Sequence, residues 1–234
     1  MGKLAVVTGG TKGIGKAILE KFAASGFDVA TCSRKETELM SLRKELESRF
    51  GIQVFTCAAD LSTPEGAYRF TSQLLELKRP IDVLVNNAGY FTPGQVTTES
   101  GGVLENMIGA NLYSAYHTTR GLVHDMKARR QGHIFNMCSI ASIKAYPNGG
   151  SYAISKFALL GFTKVLREEL KEEGIRVTAV LPGATRTSSW DAVPLPEERF
   201  MKPEDVADAI YGAYSLSPRS VVEEILIRPQ LGDI

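Results

Sequence analysis

The chain has 234 residues, with 27 Lys plus Arg against 26 Asp plus Glu, 44% hydrophobic residues and 23% charged residues. These proportions are those of a globular domain and exclude a disordered chain, a collagen and a coiled coil. A formal net charge of +1 provides no long-range field for nucleic-acid phosphates, and no run approaches the ~18 consecutive apolar residues of a membrane helix. Because the N-terminus also lacks a cleavable signal, we expect a cytoplasmic protein that binds neither nucleic acid nor membranes.

Short runs rich in Val, Ile, Leu and Ala alternate with longer amphipathic stretches, which predicts parallel strands connected by helices. The predicted strands cover residues 3–8, 27–33, 53–59, 81–86, 133–138, 175–181 and 222–228. The first predicted helix follows the glycine turn after the first strand. The others cover 35–50, 64–78, 101–128 and 151–173, and a last helix begins at Pro203. We therefore expect a single-domain α/β Rossmann fold, residues 1–234, with a seven-stranded parallel sheet, helices on both faces and a short lid at about 184–202.

The cysteines and histidines give no sign of a disulfide framework or a metal site. The chain has three cysteines, Cys32, Cys57 and Cys138, which is an odd number, and none of them has CxxC spacing. The three histidines are not spaced as metal ligands on one helical face. We expect the thiols to be free and buried, and no metal to be bound.

A glycine-rich segment, TGGTKGIG, separates the first predicted strand from the first helix. Gly9, Gly13 and Gly15 permit a tight turn that brings backbone N–H groups and the positive end of the helix dipole against a diphosphate. Glycines also serve ordinary turns, and this spacing departs from the GxGxxG fingerprint. The segment by itself therefore does not separate a nucleotide site from a plain turn.

Further motifs follow in order: Asp60-Leu61, Asn86-Asn87-Ala88-Gly89, a serine thirteen residues before a YxxxK motif, and a later Pro-Gly pair. With the TGxxxGxG turn, this series resembles the short-chain dehydrogenase/reductase family over essentially the whole chain. The joint spacing carries the resemblance, since YxxxK alone arises readily by chance. The resemblance implies an oxidoreductase that transfers a hydride between a nicotinamide cofactor and a small carbonyl compound.

The end of the second predicted strand indicates which cofactor is used. At this corner an acid binds the ribose hydroxyls of NAD, whereas an arginine accommodates the 2′-phosphate of NADP. The segment Ser33-Arg34-Lys35 holds no carboxylate, and Lys12 in the glycine turn offers a second cation. We therefore expect NADPH to be preferred over NADH, the alternative being that both cations are simply solvated.

By the same resemblance, Asp60 and Leu61 contact the adenine, and the stretch from Pro182 to Thr187 fixes the nicotinamide carboxamide. Asn86 is expected to hold strands together instead. The expected cofactor-binding residues are Gly9, Thr11, Lys12, Gly13, Ile14, Gly15, Ser33, Arg34, Asp60, Leu61, Asn87, Ala88, Gly89, Tyr152, Lys156, Pro182, Gly183, Thr185 and Thr187.

Four residues are expected to be catalytic: Ser139, Tyr152, Lys156 and Asn111. Negative charge develops on the carbonyl oxygen during reduction, so a proton donor must stand beside it. Tyr152 and Lys156 share one helical face, and a nearby ammonium lowers the pKa of a phenol from its ordinary value near ~10. Ser139 would donate a hydrogen bond to the same oxygen. Asn111 matches the family's asparagine that holds a water against the lysine.

The substrate is expected between residues 90–92, 140–150 and the lid. Apolar and aromatic side chains dominate these stretches: Phe91, Ile143, Tyr146, Pro147, Trp190, Phe200 and Met201. The ending VVEEILIRPQLGDI resembles that of sepiapterin-reductase-like bacterial reductases, in which Asp233 would anchor a pterin. A 3-oxoacyl carrier-protein reductase is the chief alternative, with Arg129 and Arg130 as docking residues for an acidic carrier. A non-catalytic nucleotide sensor is a third possibility.

The outer faces of the helices predicted at 101–128 and 151–173 resemble the family's dimer surfaces. Small positions such as Ala158 and Gly161 permit a partner helix to approach closely. We therefore expect a homotetramer or a homodimer of closed symmetry.

Overall fold

The computed structural model describes residues 2–190 and 194–234, so the centre of the predicted lid, residues 191–193, lies outside the described residues. One all-parallel sheet of seven strands, in the order β3-β2-β1-β4-β5-β6-β7, forms the middle of the molecule. The strands are β1 (Leu4–Thr8), β2 (Asp28–Ser33), β3 (Val54–Ala58), β4 (Val83–Asn86), β5 (Gly132–Met137), β6 (Ile175–Pro182) and β7 (Glu224–Ile227). The helices are α1 (Gly13–Ala24), α2 (Glu36–Phe50), α3 (Pro64–Glu76), α4 (Val103–Ile108), α5 (Ser114–Arg129), α6 (Gly150–Leu170) and α7 (Pro203–Ser215). The predicted α/β Rossmann fold is confirmed.

Helices cover both faces of the sheet, which explains why the strands lack polar alternation. In β1, Ala5 and Val7 pack against α1, α2 and α7 on one face, whereas Leu4 and Val6 pack against α3, α5 and α6 on the other. All four side chains are fully buried. Successive residues of a strand point to opposite faces, so a strand between two helical layers must be apolar throughout.

The strand order reverses direction between β1 and β4. The chain moves outward from β1 through β2 to β3, then returns to place β4 on the other side of β1. Connections leave the two strands in opposite directions at this point, which opens a crevice at their carboxyl ends. The glycine turn after β1 and the Asn-Asn-Ala-Gly segment at the end of β4 both lie at this crevice.

The prediction of one uninterrupted helix over 101–128 is wrong in its middle. The structure has α4, then a π-helical turn at Gly109–Tyr113, and then α5. A π-helical turn inserts one extra residue into the helical ladder. Here the turn contains Asn111, whose amide is engaged by residues outside the helix.

The two ends of the lid are tied together beside α7. The N–H of Arg186 donates to the carbonyl of Met201 at 2.8 Å, and the N–H of Met201 donates to the carbonyl of Ala184 at 3.0 Å. The rings of Trp190 and Phe200 pack with centroids 5.3 Å apart. The lid therefore has a fixed base.

Within the described part of the chain, no helix is both long and apolar enough to cross a membrane.

Candidate active site

The two loops at the crevice are joined by the side chains of Thr8 and Asn87. The hydroxyl of Thr8 accepts the N–H groups of Asn87 at 3.0 Å and Ala88 at 2.9 Å. The amide of Asn87 donates to the carbonyls of Thr8 at 3.0 Å and Gly9 at 3.1 Å. The sequence analysis did not identify Thr8 as a site residue, although it begins the TGxxxGxG motif.

The glycine turn adopts a backbone that other residues tolerate poorly. Gly9 and Gly13 have φ values of 67° and 55°, in the left-handed region that glycine enters without strain. A Cβ on Gly15 would lie 2.4 Å from the carbonyl oxygen of Gly9. No side chain caps the N-terminus of α1, so its first N–H groups are available to an anion.

A cleft of about 1210 Å³ extends along the carboxyl ends of the strands. Every predicted cofactor-binding residue lines it, and so do the predicted catalytic residues Ser139, Tyr152 and Lys156. Asn86 lies outside the cleft lining, where its amide donates to Thr119 at 2.9 Å and to Asn136 at 2.8 Å. Asn86 therefore connects β4 to β5 and to α5, as expected.

One end of the cleft is a positively charged corner formed by Lys12, Ser33 and Arg34. Among residues 2–190 and 194–234, no carboxylate lies within salt-bridge distance of Lys12 or Arg34. Asp60, also at this end, accepts hydrogen bonds from the N–H of Ser62 at 3.0 Å and from its hydroxyl at 2.7 Å. These bonds, and to a lesser extent the charge of Arg34, hold the pKa of Asp60 below its usual range.

At the middle of the cleft, Ser139 follows β5 while Tyr152 and Lys156 lie on the first turns of α6. The ammonium of Lys156 is buried, donates to the carbonyl of Met137 at 2.7 Å and lies 5.7 Å from the centre of the Tyr152 ring. The three side chains therefore converge on one wall, although they come from two segments separated along the chain.

Burial moves the pKa values of the tyrosine and the lysine in opposite directions, because it disfavours the charged form of each. Tyr152 is partly exposed to the cleft, yet its phenol is enclosed by protein, and this raises its pKa to about 12 against an opposing hydrogen bond from Ser139. Burial lowers the pKa of Lys156 to about 8. At neutral pH the phenol is therefore protonated, as a proton donor must be.

Comparison with known proteins agrees with this geometry: the short chain dehydrogenase family matches residues 3–197. The chain belongs to the short-chain dehydrogenase/reductase family. It is therefore an oxidoreductase that depends on NAD(P).

Two curated relatives and one solved structure illustrate the likeness. The sepiapterin reductase of Chlorobaculum tepidum is 33% identical, over 100% of this chain and 99% of the relative. The 3-oxoacyl-[acyl-carrier-protein] reductase of Aquifex aeolicus is 29% identical, over 89% of this chain and 88% of the relative. The alcohol dehydrogenase of Thermococcus sibiricus, solved in complex with 5-hydroxy-NADP, superimposes with a TM-score of 0.91 at 28% identity, over 97% of each chain.

In this short-chain dehydrogenase, Asn111 lies beneath the cleft. Its Oδ1 accepts the N–H of Tyr90 at 2.9 Å, and its Nδ2 donates to the carbonyl of Tyr90 at 3.1 Å and to the hydroxyl of Ser155 at 2.9 Å. A Cβ on Gly89 would lie 2.5 Å from this Oδ1. Asn111 thus connects the loop after β4 to α6, and its predicted role beside the lysine stays a prediction.

The start of α6 is held by an acid that the sequence analysis missed. The residue before the helix, Gly149, has no side chain to cap it. One oxygen of Glu99 accepts the N–H of Ser151 at 3.0 Å, and the other accepts the Ser151 hydroxyl. From the same loop, the ring of Phe91 packs edge-on against Tyr152 with centroids 4.9 Å apart. No local sequence signal indicates a cap supplied from so far away.

Beyond Tyr152, the cleft has an aromatic compartment that the C-terminal segment partly lines. Phe91, Tyr146, Pro147 and Trp190 line it as expected, whereas Ile143, Phe200 and Met201 lie outside its lining. Phe200 and Met201 are instead buried at the base of the lid, and Ile143 is exposed on the surface.

Asp233 and Ile234 also line this compartment. Oδ2 of Asp233 lies 3.4 Å from the ammonium of Lys144 and 3.7 Å from the guanidinium of Arg228. Oδ1 of Asp233 is buried and has no hydrogen-bond partner among the described residues. Asp233 therefore brings a buried carboxylate oxygen without a hydrogen-bond partner among the described residues to the substrate end of the cleft.

Proposed function

We propose that this protein is an NADPH-dependent reductase of a small carbonyl compound, with Tyr152 as the proton donor. The observation that carries the proposal is the meeting of Ser139, Tyr152 and Lys156 on one wall of the cleft. The far end of the cleft presents Lys12 and Arg34, for which the described residues provide no carboxylate within salt-bridge distance. The solved relative in complex with 5-hydroxy-NADP supports the same type of cofactor.

The cleft fits a dinucleotide along its length. The uncapped N-terminus of α1 and the glycine turn would hold the diphosphate, and Lys12 with Arg34 would bind the 2′-phosphate. Gly13 and Thr187 approach each other across the cleft, since a Cβ on Gly13 would lie 3.1 Å from Cγ2 of Thr187. Larger side chains at the glycine turn would therefore fill the space that the diphosphate needs.

The chain's own residues would manage the charge and the proton during reduction. When bound, NADPH supplies the hydride that reduces the carbonyl carbon. Ser139 donates a hydrogen bond to the carbonyl oxygen, and Tyr152 transfers its phenolic proton to that oxygen. Lys156 donates one N–H to the carbonyl of Met137. Its positive charge stabilises the phenolate that forms on Tyr152.

Tyr152→Phe tests this mechanism because it removes only the hydroxyl. Turnover should fall at least ~10²-fold, the usual value of general acid catalysis, while the affinity for NADPH stays near that of the wild type. Steady-state kinetics and a fluorescence titration measure the two quantities. Tyr68→Phe, at an exposed tyrosine of α3 outside the cleft lining, is the matched control. A Tyr152→Phe protein that turns over at the wild-type rate would contradict the mechanism.

For the substrate, we propose a planar ring compound with N–H donors, as in sepiapterin. The curated relative of Chlorobaculum tepidum carries the name sepiapterin reductase. The aromatic walls and the unpartnered oxygen of Asp233 suit a ring that donates hydrogen bonds. With NADPH, we expect sepiapterin to be reduced faster than a diketone or an acetoacetyl thioester. Asp233→Asn should raise KM for sepiapterin more than KM for the diketone.

The alternative, a 3-oxoacyl carrier-protein reductase, loses one of its supports. Arg129 is bound to Asp125 at 2.9 Å and to the carbonyl of Ile81 at 2.7 Å, and Arg130 is paired with Glu173. Both arginines stand just before β5 begins, at the amino edge of the sheet, whereas the cleft lies at the carboxyl edge. A carrier docked on these arginines would be on the wrong side for delivering its acyl group.

We also propose that two or more copies associate through the outer faces of α5 and α6. Large apolar side chains are exposed on α6 and in the π-helical turn before α5: Ile154, Phe157, Val165 and Tyr113. A Cβ on Gly161 would meet no atom within 4 Å, so a partner helix would find open space beside it. Burial of this surface in a symmetric dimer would remove it from water.

A further inference from the structure

A carboxylate from α2 borders the positively charged corner of the cleft. Oε2 of Glu38 accepts the hydroxyl of Thr11 at 3.2 Å, and Oε1 accepts the ammonium of Lys35 at 3.0 Å. Thr11 lies next to Lys12, and Lys35 lies next to Arg34. Glu38 therefore contacts both segments that supply the corner's cations, although it does not follow β2 directly as an NAD-selecting acid would.

Glu38 is charged at neutral pH. The hydrogen bond from Lys35 is the main reason why the pKa of Glu38 is lowered, and the charges of Lys35 and Lys12 act in the same direction. About a third of the carboxylate side chain is exposed to solvent. Its negative charge thus acts on the corner through partly screened surroundings.

We propose that Glu38 is a specificity-determining residue that weakens the binding of the cofactor's 2′-phosphate and so limits the preference for NADPH over NADH. The inference rests on the proposed function, in which Lys12 and Arg34 bind that phosphate. A phosphate monoester carries about −1.5 to −2 charges at neutral pH, so it is repelled by a carboxylate at the same corner.

Glu38 also competes with the phosphate for hydrogen-bond donors. The hydroxyl of Thr11 has a single proton, which it donates to Glu38 in the structure. The ammonium of Lys35 is likewise directed at Glu38. A 2′-phosphate can use either donor only by taking it from the carboxylate, whereas NADH lacks the phosphate and is indifferent to this competition.

Glu38→Gln tests the inference without requiring the natural substrate. Glutamine keeps the shape and an acceptor for Thr11 but removes the charge. NADPH should bind about two- to fivefold more tightly, the usual range for a partly exposed charge interaction, and NADH should bind unchanged. Fluorescence titration with each nucleotide measures both affinities. In about 1 M salt, where the Debye length is short, the gain for NADPH should shrink.

The matched control is Glu45→Gln, which makes the same change of charge two turns further along α2. Neither Glu38 nor Glu45 lines the cleft. Glu38 is bonded to Thr11 of the lining, whereas Glu45 pairs at 2.9 Å with Lys16, which is not a lining residue. The ratio of the two nucleotide affinities should stay at the wild-type value in this variant. Lys35→Gln should act in the opposite direction to Glu38→Gln, because it leaves the charge of Glu38 without its neighbouring cation.

The inference is overturned if Glu38→Gln strengthens NADPH and NADH equally, if it weakens NADPH, or if Glu45→Gln changes the ratio as much. A wild-type protein that binds NADH as tightly as NADPH would instead refute the proposed cofactor preference. The two failures are distinguishable because they concern different quantities. The wild-type ratio of NADPH to NADH affinity tests the cofactor preference, and the change of that ratio in Glu38→Gln tests the role of Glu38.

Discussion

Tyr152 and Lys156 are neighbours on one helix turn, and the cleft acts on both through burial. The phenol holds its proton because its pKa is raised to about 12, while the ammonium loses its proton above its lowered pKa of about 8. The proton donor is therefore ready over the whole neutral range, and the charge that supports it is present only below about pH 8. The lysine, not the tyrosine, is expected to set the upper pH limit of reduction.

The first prediction at the residue scale is that kcat/KM for reduction falls as the pH rises through about 8. Below this pH Lys156 is positively charged and stabilises the phenolate that forms on Tyr152; above it the lysine is neutral. A pH profile of NADPH-dependent reduction between about pH 6 and 10 measures the effect. Lys156→Arg, which stays charged throughout, should remove the fall if it retains activity. A wild-type profile that is flat through pH 8 would contradict the assignment.

A second prediction concerns Arg34. Arg34→Asp should reverse the cofactor preference, because a carboxylate at the end of β2 binds ribose hydroxyls and repels a 2′-phosphate. Fluorescence titrations with NADPH and NADH at low salt give the two affinities. Arg43→Asp, on α2 but outside the cleft lining, should keep the wild-type preference. Equal binding of NADPH and NADH by the wild-type protein would disprove the role of Arg34.

At the scale of the element, α6 depends on a cap from another part of the chain. Its first turn would leave the N–H of Ser151 unpaired without Glu99, and Tyr152 is the next residue. Asn111 supports the same helix from the π-helical turn through Ser155. Glu99 from a loop and Asn111 from the π-helical turn therefore hold the helix that bears Tyr152 and Lys156.

Glu99→Ala should lower both stability and turnover. Loss of a helix cap costs about 0.5–2 kcal/mol, seen as a lower Tm, and the looser first turn should reduce kcat with little change in NADPH affinity. Glu99→Gln, which can still accept the Ser151 N–H, should recover most of the turnover.

The control for this prediction is Asp205→Ala on α7, a helix without site residues. Asp205 accepts the N–H of Lys202 at 3.1 Å, so its loss should lower Tm and leave kcat unchanged. If Asp205→Ala and Glu99→Ala reduce kcat alike, the effect of Glu99 is one of general stability alone.

At the scale of the whole molecule, the apolar side chains exposed on α6 and in the π-helical turn before α5 predict self-association. Light scattering at micromolar concentration should give the mass of a dimer or a tetramer. Phe157→Arg should shift the mass toward the monomer, because it places a charge in the surface that a partner would bury. Tyr68→Arg, at an exposed aromatic on α3, should leave the mass unchanged. A wild-type monomer would refute the prediction.

The amino-acid sequence by itself determined the sheet, its parallel strands and the order of its motifs. Periodicity reports which side of each segment is buried, so runs such as β1 could be recognised as strands covered on both faces. The resemblance of these motifs to the short-chain dehydrogenase/reductase family then indicated the cleft residues, and parallel strands bring their carboxyl ends to one edge of the sheet. The segment Ser33-Arg34-Lys35, which has no carboxylate at the end of β2, could likewise be identified from the sequence alone.

Only the tertiary structure decided which distant side chains meet around those motifs. Glu99 caps α6 across 52 positions and Glu38 reaches Thr11 across 27, distances over which no local pattern carries information. The π-helical turn at Asn111 depends on partners in two other segments. The pKa values of Tyr152 and Lys156 likewise depend on burial by the folded chain. Periodicity is a property of neighbouring residues, whereas contacts at the crevice exist only after the strand order has brought separate loops together.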